Sequence, residues 1–212
     1  MSRGRLIVVE GPDGAGKTTL VRALSGRVRA AGREVVEVRE PGGTPVAEAC
    51  RAIVLDPAHP LSPAAELFLM LAARADLVAG LMRPALQRGA VVLSDRFDLS
   101  TMAYQVAGRR LPEADVRRAN AVATGGLIPD RTLVIDLSPD AARARRQAMG
   151  TALDRMEQGD ADMQERVVRW FAQAAGPGVV HLDGMLTAEA LTEAAWTHVR
   201  EMLTEHPPAG PG

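Results

Sequence analysis

Eight consecutive residues, Gly11-Pro12-Asp13-Gly14-Ala15-Gly16-Lys17-Thr18, match the phosphate-binding pattern G-x-x-x-x-G-K-[ST] in full. The spacing has a physical basis. Glycines let successive backbone N–H groups turn into one concavity, and a helix beginning at Lys17 adds its positive end. Lys17 supplies a compact charge, and the Thr18 hydroxyl suits a magnesium ion. The ligand expected of such a loop, with Thr19 continuing it into the helix, is a nucleoside triphosphate with Mg²⁺. Three other places hold chemistry. Asp95-Arg96 ends an apolar run, and a planar guanidinium there suits bidentate recognition of a phosphate. Arg74 interrupts an apolar helical pattern, which is expensive unless the charge is paired or faces a pocket. Arg143 to Arg146 form a charged stretch, with a solvated helix face as the competing explanation.

The cations are unevenly written. Of 25 Lys and Arg residues, Lys17 is the only lysine. If the two types were interchangeable, one lysine would fall on a given cationic position only about one time in 25, so its address inside the glycine-rich loop carries information. The 212 residues are 47% hydrophobic and 24% charged, enough for one domain with a sizeable core. Formal net charge is −1, which excludes the broad positive field of a protein that holds nucleic acid by its phosphates. One cysteine, Cys50, allows neither an intrachain disulfide nor a Cys-based zinc site and reads as a small buried thiol. His59, His181, His198 and His206 are scattered without metal spacing. The run Leu6 to Val9 is too short for a signal peptide, and Arg74 and Asp76 break the apolar stretch 65–82, so no membrane span and a cytoplasmic location are expected.

Short apolar runs alternating with helical periodicity supply the scaffold. Strands are predicted at 5–10, 34–39, 90–94, 132–137 and 179–182. Helices are predicted at 17–31, 46–55, 63–88 with a bend near Gly80 or Pro84, 98–106 and 112–124. Others start after Ser138-Pro139 and cover 160–175 and 187–204. Five buried strands separated by helices imply a parallel sheet covered on both faces, because parallel crossovers need helices. The tail 206–212 is expected to be disordered.

Four stretches together resemble the thymidylate kinases of the bacterial type: Glu10-Gly-Pro-Asp13-Gly-Ala-Gly-Lys17-Thr-Thr19, Arg39-Glu40-Pro41-Gly42-Gly43-Thr44, Asp95-Arg96-Phe97-x-x-Ser100-Thr101-x-Ala103-Tyr104-Gln105 and Leu153-Asp154-Arg155-Met156-Glu157. The resemblance runs over nearly the whole chain. It implies a P-loop NTPase-type three-layer α/β fold over residues 1–205, with a small lid at about 143–158, and a homodimer. The implied activity is transfer of the γ-phosphate of ATP to dTMP, with Mg²⁺ held by Thr18 and Asp95. ATP would lie on residues 11–19 and near Asp183-Gly184. Arg96 would grip the acceptor phosphate, Asp13 the acceptor sugar, and Arg74 a thymine carbonyl. Tyr104 would stand where a 2′-hydroxyl would project, and Ser100, Thr101 and Gln105, with Glu40, Pro41 and Met70, would complete the dTMP site. For Asp13 a turn-forming aspartate before glycine is the alternative, and for Tyr104 a core aromatic.

Two positions depart from the family. Met70 stands where the family places an aromatic to stack on thymine, and a thioether covers a ring face with less defined geometry. The lid's usual Arg-Gly pair reads Met149-Gly150. The catalytic arginine is therefore sought among Arg143, Arg145, Arg146 and Arg155, with Arg143 and Arg146 favoured. Met70 keeps open a kinase of another nucleoside monophosphate. The lone lysine argues against a switch GTPase, whose Asn-Lys-x-Asp signature needs a second one, and near-neutral charge argues against a DNA-tracking ATPase.

Overall fold

A computed structural model describes residues 4–148, 155–156 and 161–204. The expected tail 206–212 and the lid residues 149–154 and 157–158 lie outside these. Five strands, β1 (Arg5–Glu10), β2 (Val35–Arg39), β3 (Val91–Asp95), β4 (Arg131–Asp136) and β5 (Val179–Asp183), form one parallel sheet in the order β2-β3-β1-β4-β5. The helices are α1 (Lys17–Ala30), α2 (Pro45–Leu55), α3 (Pro63–Leu77), α4 (Arg83–Gln87), α5 (Asp98–Thr101), α6 (Glu113–Thr124), α7 (Pro139–Ala148), α8 (Ala161–Ala172) and α9 (Ala188–Thr204).

Strand β1 shows why its sequence is apolar without alternation. Ile7 and Val9 enter one core with Leu24, Ile135 and Val199, while Leu6 and Val8 enter another with Met82, Val92 and Phe97. Both faces are covered by helices, so neither periodic set is left for water. Three helices open the same way. Thr44-Pro45, Ser62-Pro63 and Ser138-Pro139 each place a hydroxyl that accepts a backbone N–H at 3.2 Å, followed by a proline whose missing N–H costs nothing there.

The region expected as one bent helix at 63–88 is three pieces: α3, a π-helical segment Val78–Met82, and α4. Pro84 explains the break, since it lacks an N–H and its ring would strike the carbonyl of Gly80 in a regular helix. A second π-helical segment, Met102–Gly108, occupies the rest of the helix expected at 98–106. It carries Tyr104 and Gln105, both buried. π-helical insertions are common at functional sites. No helix among the described residues is long and apolar enough to cross a membrane.

The sheet order sets the location of the site. The chain leaves β1 toward β2 at one edge and leaves β3 toward β4 on the other side of β1, so the connections diverge between the neighbours β1 and β3. Ligands in open α/β sheets occupy the crevice outside the carboxyl ends of the strands at such a point. The loops after Glu10 and Asp95 meet there.

Candidate active site

The loop after β1 needs two of its glycines for reasons visible in the packing. Gly11 has φ +138°, and a Cβ on it would lie 2.7 Å from the Ile135 carbonyl oxygen. Gly14 has φ +79°, and a Cβ there would press to 3.1 Å from Cβ of Arg145. The second approach shows that α7 is packed directly on the phosphate loop. Lys17, 7% exposed, donates from Nζ to the Pro12 carbonyl at 2.8 Å, so its ammonium lies folded along the loop. Burial, and then the nearby Arg96 guanidinium, bring its pKa down to about 8.

Arg96 is the hub of the site. It is one of two non-glycine residues with positive φ among those described, at +75°, a conformation that residues other than glycine rarely adopt. Its backbone is held on both sides. Arg96 N donates to the Val9 carbonyl at 3.0 Å, and Ser94 Oγ donates to the Arg96 carbonyl at 2.6 Å. Phe97 follows, wholly buried, and anchors the turn by burial worth on the order of 1.5–3 kcal/mol. The resulting twist aims the guanidinium back over the phosphate loop. Nη2 pairs with the Asp13 carboxylate, and Nη1 donates to Ser100 Oγ at 2.9 Å and to the Gly11 carbonyl at 3.3 Å. Tyr104 donates its hydroxyl to Asp13 Oδ2 at 2.7 Å, and its ring lies under the Arg96 guanidinium at 5.2 Å. Burial alone would raise the Asp13 pKa, but Arg96 and then Lys17 hold it below the usual carboxylate range. The Tyr104 ring meets Phe171 edge-on at 6.4 Å in the core, as a core aromatic would, and its hydroxyl is held by Asp13 at the cleft.

On the other side of the cleft Arg74 is buried and fully engaged. Nε donates to Glu40 Oε2 and one Nη1 bond goes to Thr101 Oγ1, both at 2.7 Å. A further Nη1 bond reaches Asn120 Oδ1 at 2.5 Å, and Nη2 meets the Phe97 carbonyl at 2.7 Å. Burial pushes the Glu40 carboxyl above its ordinary pKa, Arg74 opposing. The Glu40–Pro41 peptide is cis.

Lys17, Asp13, Arg96, Tyr104, Glu40 and Arg74 border one cleft of about 530 Å³. The ten residues assigned to dTMP from the resemblance, Asp13, Glu40, Pro41, Met70, Arg74, Arg96, Ser100, Thr101, Tyr104 and Gln105, all line it, together with Lys17, Thr18, Thr19 and Asp95 of the phosphate side. Asp183 does not. It lies at the end of β5, and its carboxylate accepts the Met185 N–H at 2.8 Å. Thr18 donates from Oγ1 to Asp95 Oδ2 at 2.5 Å, bringing a hydroxyl and a carboxylate together at the mouth of the loop. Two hard oxygen donors, to be completed by phosphate oxygens and water, fit Mg²⁺, which is seldom held by an all-protein cage. No group of three or more His, Cys, Asp or Glu suited to a metal occurs among the described residues.

The four candidate arginines separate. Arg146 lies close enough to Asp13 to depress its pKa, and its Nη1 is buried without a hydrogen bond to any described residue. Arg145 donates to the Gly184 carbonyl at 2.6 Å. Arg143 pairs with Asp140 one turn back at 3.5 Å and is half-exposed; none of the four is among the residues that line the cleft. Arg155 turns away to the Val54 carbonyl and to Glu66.

Sequence reasoning overlooked two site residues. Glu10, a strand end with no role assigned from sequence, is wholly buried and holds the Arg96 turn. Oε1 accepts the Phe97 and Ser100 N–H groups at 2.8 and 3.1 Å, and Oε2 accepts the Ser100 hydroxyl at 2.6 Å. Burial pushes its carboxyl up to about 7. Its signal was an acid at the carboxyl end of a strand apolar on both faces. Arg51 lines the cleft from α2, where it donates to the Pro41 carbonyl at 2.9 Å. Its signal was a cation four residues after Ala47 on the stripe Ala47–Cys50–Val54.

Known proteins resemble this chain over nearly its whole length. A family profile described as thymidylate kinase matches residues 9–194. The thymidylate kinase of Deinococcus radiodurans is 44% identical over 204 residues, covering 95% of this chain and 98% of its own. That of Chromohalobacter salexigens is 48% identical over 209 residues, covering 96% and 98%, and that of Pseudomonas fluorescens 50% identical over 174 residues, covering 81% and 82%. Similarity of this extent takes in β1, the phosphate loop, the Arg96 turn and the acceptor side of the cleft as one unit, and the chain belongs to the thymidylate kinase family.

Proposed function

We propose that the protein transfers the γ-phosphate of ATP to the phosphate of dTMP, giving ADP and dTDP. An acceptor phosphate oxygen attacks the γ-phosphorus in line as the bond to the β–γ bridging oxygen breaks, so no protein nucleophile is required. The observation that carries the reading is the meeting of two phosphate-type sites in one cleft: Lys17 on the loop after β1, and Arg96, paired with Asp13, on the turn after β3. Lys17 and the loop amides receive the β- and γ-phosphates. Arg96, with Arg51 across the cleft, receives the acceptor phosphate. Arg74, Thr101, Ser100 and Gln105 face the base, with Met70 on its flank, while Tyr104 and Asp13 border the sugar. Thr18 and Asp95 are the residues that would hold Mg²⁺, which when bound supplies charge neutralisation between the β- and γ-phosphates.

ADP release measured with each nucleoside monophosphate in turn tests the reading. Turnover with dTMP well above the others is expected; hydrolysis at equal rate without any monophosphate would point to a switch or motor instead. A kinase of another monophosphate is kept in view by Met70 alone. A Met70→Phe variant is expected to lower the KM for dTMP several-fold by placing a rigid ring over the base. An unchanged KM on titration would place Met70 away from the base.

Among the arginines of α7, Arg146 is assigned to the transferred phosphate because its charge acts on Asp13 and its buried Nη1 has no hydrogen bond among the described residues; Arg143, favoured equally by sequence, would have to leave Asp140 to join it. Arg146→Ala is expected to lower kcat tenfold or more, and Arg143→Ala by less. Equal losses in the two variants, read under saturating substrates, would reverse that order.

A second copy of the chain is the proposed partner. Val46 and Ile53, one face of α2, and Phe68 on the neighbouring α3 are exposed at 52%, 41% and 64%, an apolar surface that favours association. The net charge of −1 supports a small-molecule acceptor over nucleic acid, and the absence of a spanning helix among the described residues is consistent with a cytoplasmic enzyme.

A further inference from the structure

Glu66 stands in the first turn of α3, where a carboxylate at a helix start is ordinarily a solvent-facing residue. Here it is wholly buried and collects partners from distant parts of the chain. Arg109, just after the π-helical segment Met102–Gly108, donates to Oε2 from Nε at 3.1 Å and from Nη2 at 2.9 Å. Arg155 brings Nη1 to 2.8 Å from the same oxygen. Gln105 donates Nε2 to Oε1 at 2.9 Å. Arg155 is fixed further by α2, with Nε on the Val54 carbonyl at 2.7 Å and its backbone N–H on the Leu55 carbonyl at 3.1 Å. One carboxylate thus gathers α2, α3, the π-helical segment and residues 155–156 behind the acceptor side of the cleft. Three of the residues it fixes or adjoins, Leu55, Gln105 and Met156, line that cleft.

A buried carboxylate is tolerated only when its charges and lone pairs are met, and removal of one partner of such a cluster is far more disruptive than its presence is stabilising. An apolar residue could fill the same volume on α3 without that risk. The arrangement therefore calls for a role that packing alone does not supply. We propose that Glu66 is a positioning residue for the acceptor: through Arg155 and Gln105 it sets the wall against which the acceptor base is held. This rests on the reading of the cleft as a dTMP site, and it assigns Arg155 to the base side of the site and not to the transferred phosphate.

The test uses the full chain with three variants, Glu66→Gln, Arg155→Met and the double variant, in steady-state kinetics with dTMP and ATP varied separately. Both single variants are expected to raise the KM for dTMP about tenfold while the KM for ATP stays within about twofold. The double variant, in which one positive and one negative charge are removed together, should be no worse than the poorer single one, because the two act through one contact. A KM for dTMP that is unchanged in Arg155→Met, effects that multiply in the double variant, or a KM for ATP that rises in parallel would each overturn the proposal. A merely structural role would lower the active fraction and leave both KM values in place. If Glu66→Gln does not fold, Arg155→Met carries the test alone. Failure of the underlying functional reading is distinguishable, since it would appear as absence of dTMP turnover in the unsubstituted protein.

Discussion

Arginine in place of Lys17 is expected to lower kcat by about 10²–10³-fold, the loss typical of removing one charge-stabilising donor from a preorganised site, with little change in thermal unfolding. The geometry makes the conservative change a severe one. The ammonium lies folded on the Pro12 carbonyl, almost wholly enclosed by the loop, and burial already costs it enough to bring its pKa down to about 8. A guanidinium is larger, planar and rigid, and it carries its donors in a fork that a nest built for a point charge does not match. Single-turnover measurements with saturating ATP and dTMP, alongside a melting curve, decide the matter. Near-normal kcat in a folded variant would mean that the loop recognises charge alone and that the restriction of lysine to this position has another cause.

The second large effect is expected at Arg96. Arg96→Lys should lower kcat/KM for dTMP by about 10²–10³-fold while the KM for ATP changes little, since an ammonium cannot keep Asp13 and Ser100 engaged and also present a bidentate face to the acceptor phosphate. Arg96→Ala is the less informative change. It would leave the part-buried Asp13 carboxylate without its main partner, a loss that destabilises the fold as well as the site, so lost activity would be confounded with lost fold. For the lysine variant, equal losses toward ATP and dTMP would remove Arg96 from the acceptor side and make it part of the phosphate loop.

Much of this site was legible because its residues sit where backbone rules are strict. The glycine pattern of 11–16, the strand ends at Glu10 and Asp95 and the hydroxyl-proline helix starts announce themselves locally, and the sheet order then brings them together. What escaped was whatever depended on tertiary neighbours. Glu10 and Glu66 look like ordinary strand-end and helix-start acids until the fold buries them, and each then organises residues about 90 and 40 positions away. The π-helical segment at 102–108 was invisible for a related reason: an apolar helical period does not show where one extra residue enters a turn. The four candidate arginines could be listed but not ranked, because a guanidinium's reach exceeds one helical turn, and only tertiary neighbours separate Arg146, close to Asp13, from Arg143, paired with Asp140.

The enclosed Lys17 has a practical consequence. It is the only lysine side chain among 212 residues, and with a pKa of about 8 it holds a larger share of neutral, nucleophilic amine than an exposed lysine does at the same pH. An amine-directed acylating reagent therefore has a single side-chain target, at the floor of the phosphate loop. The rate of its modification, followed on the peptide that carries residue 17, becomes a direct footprint of whether that loop is filled, without any engineered label.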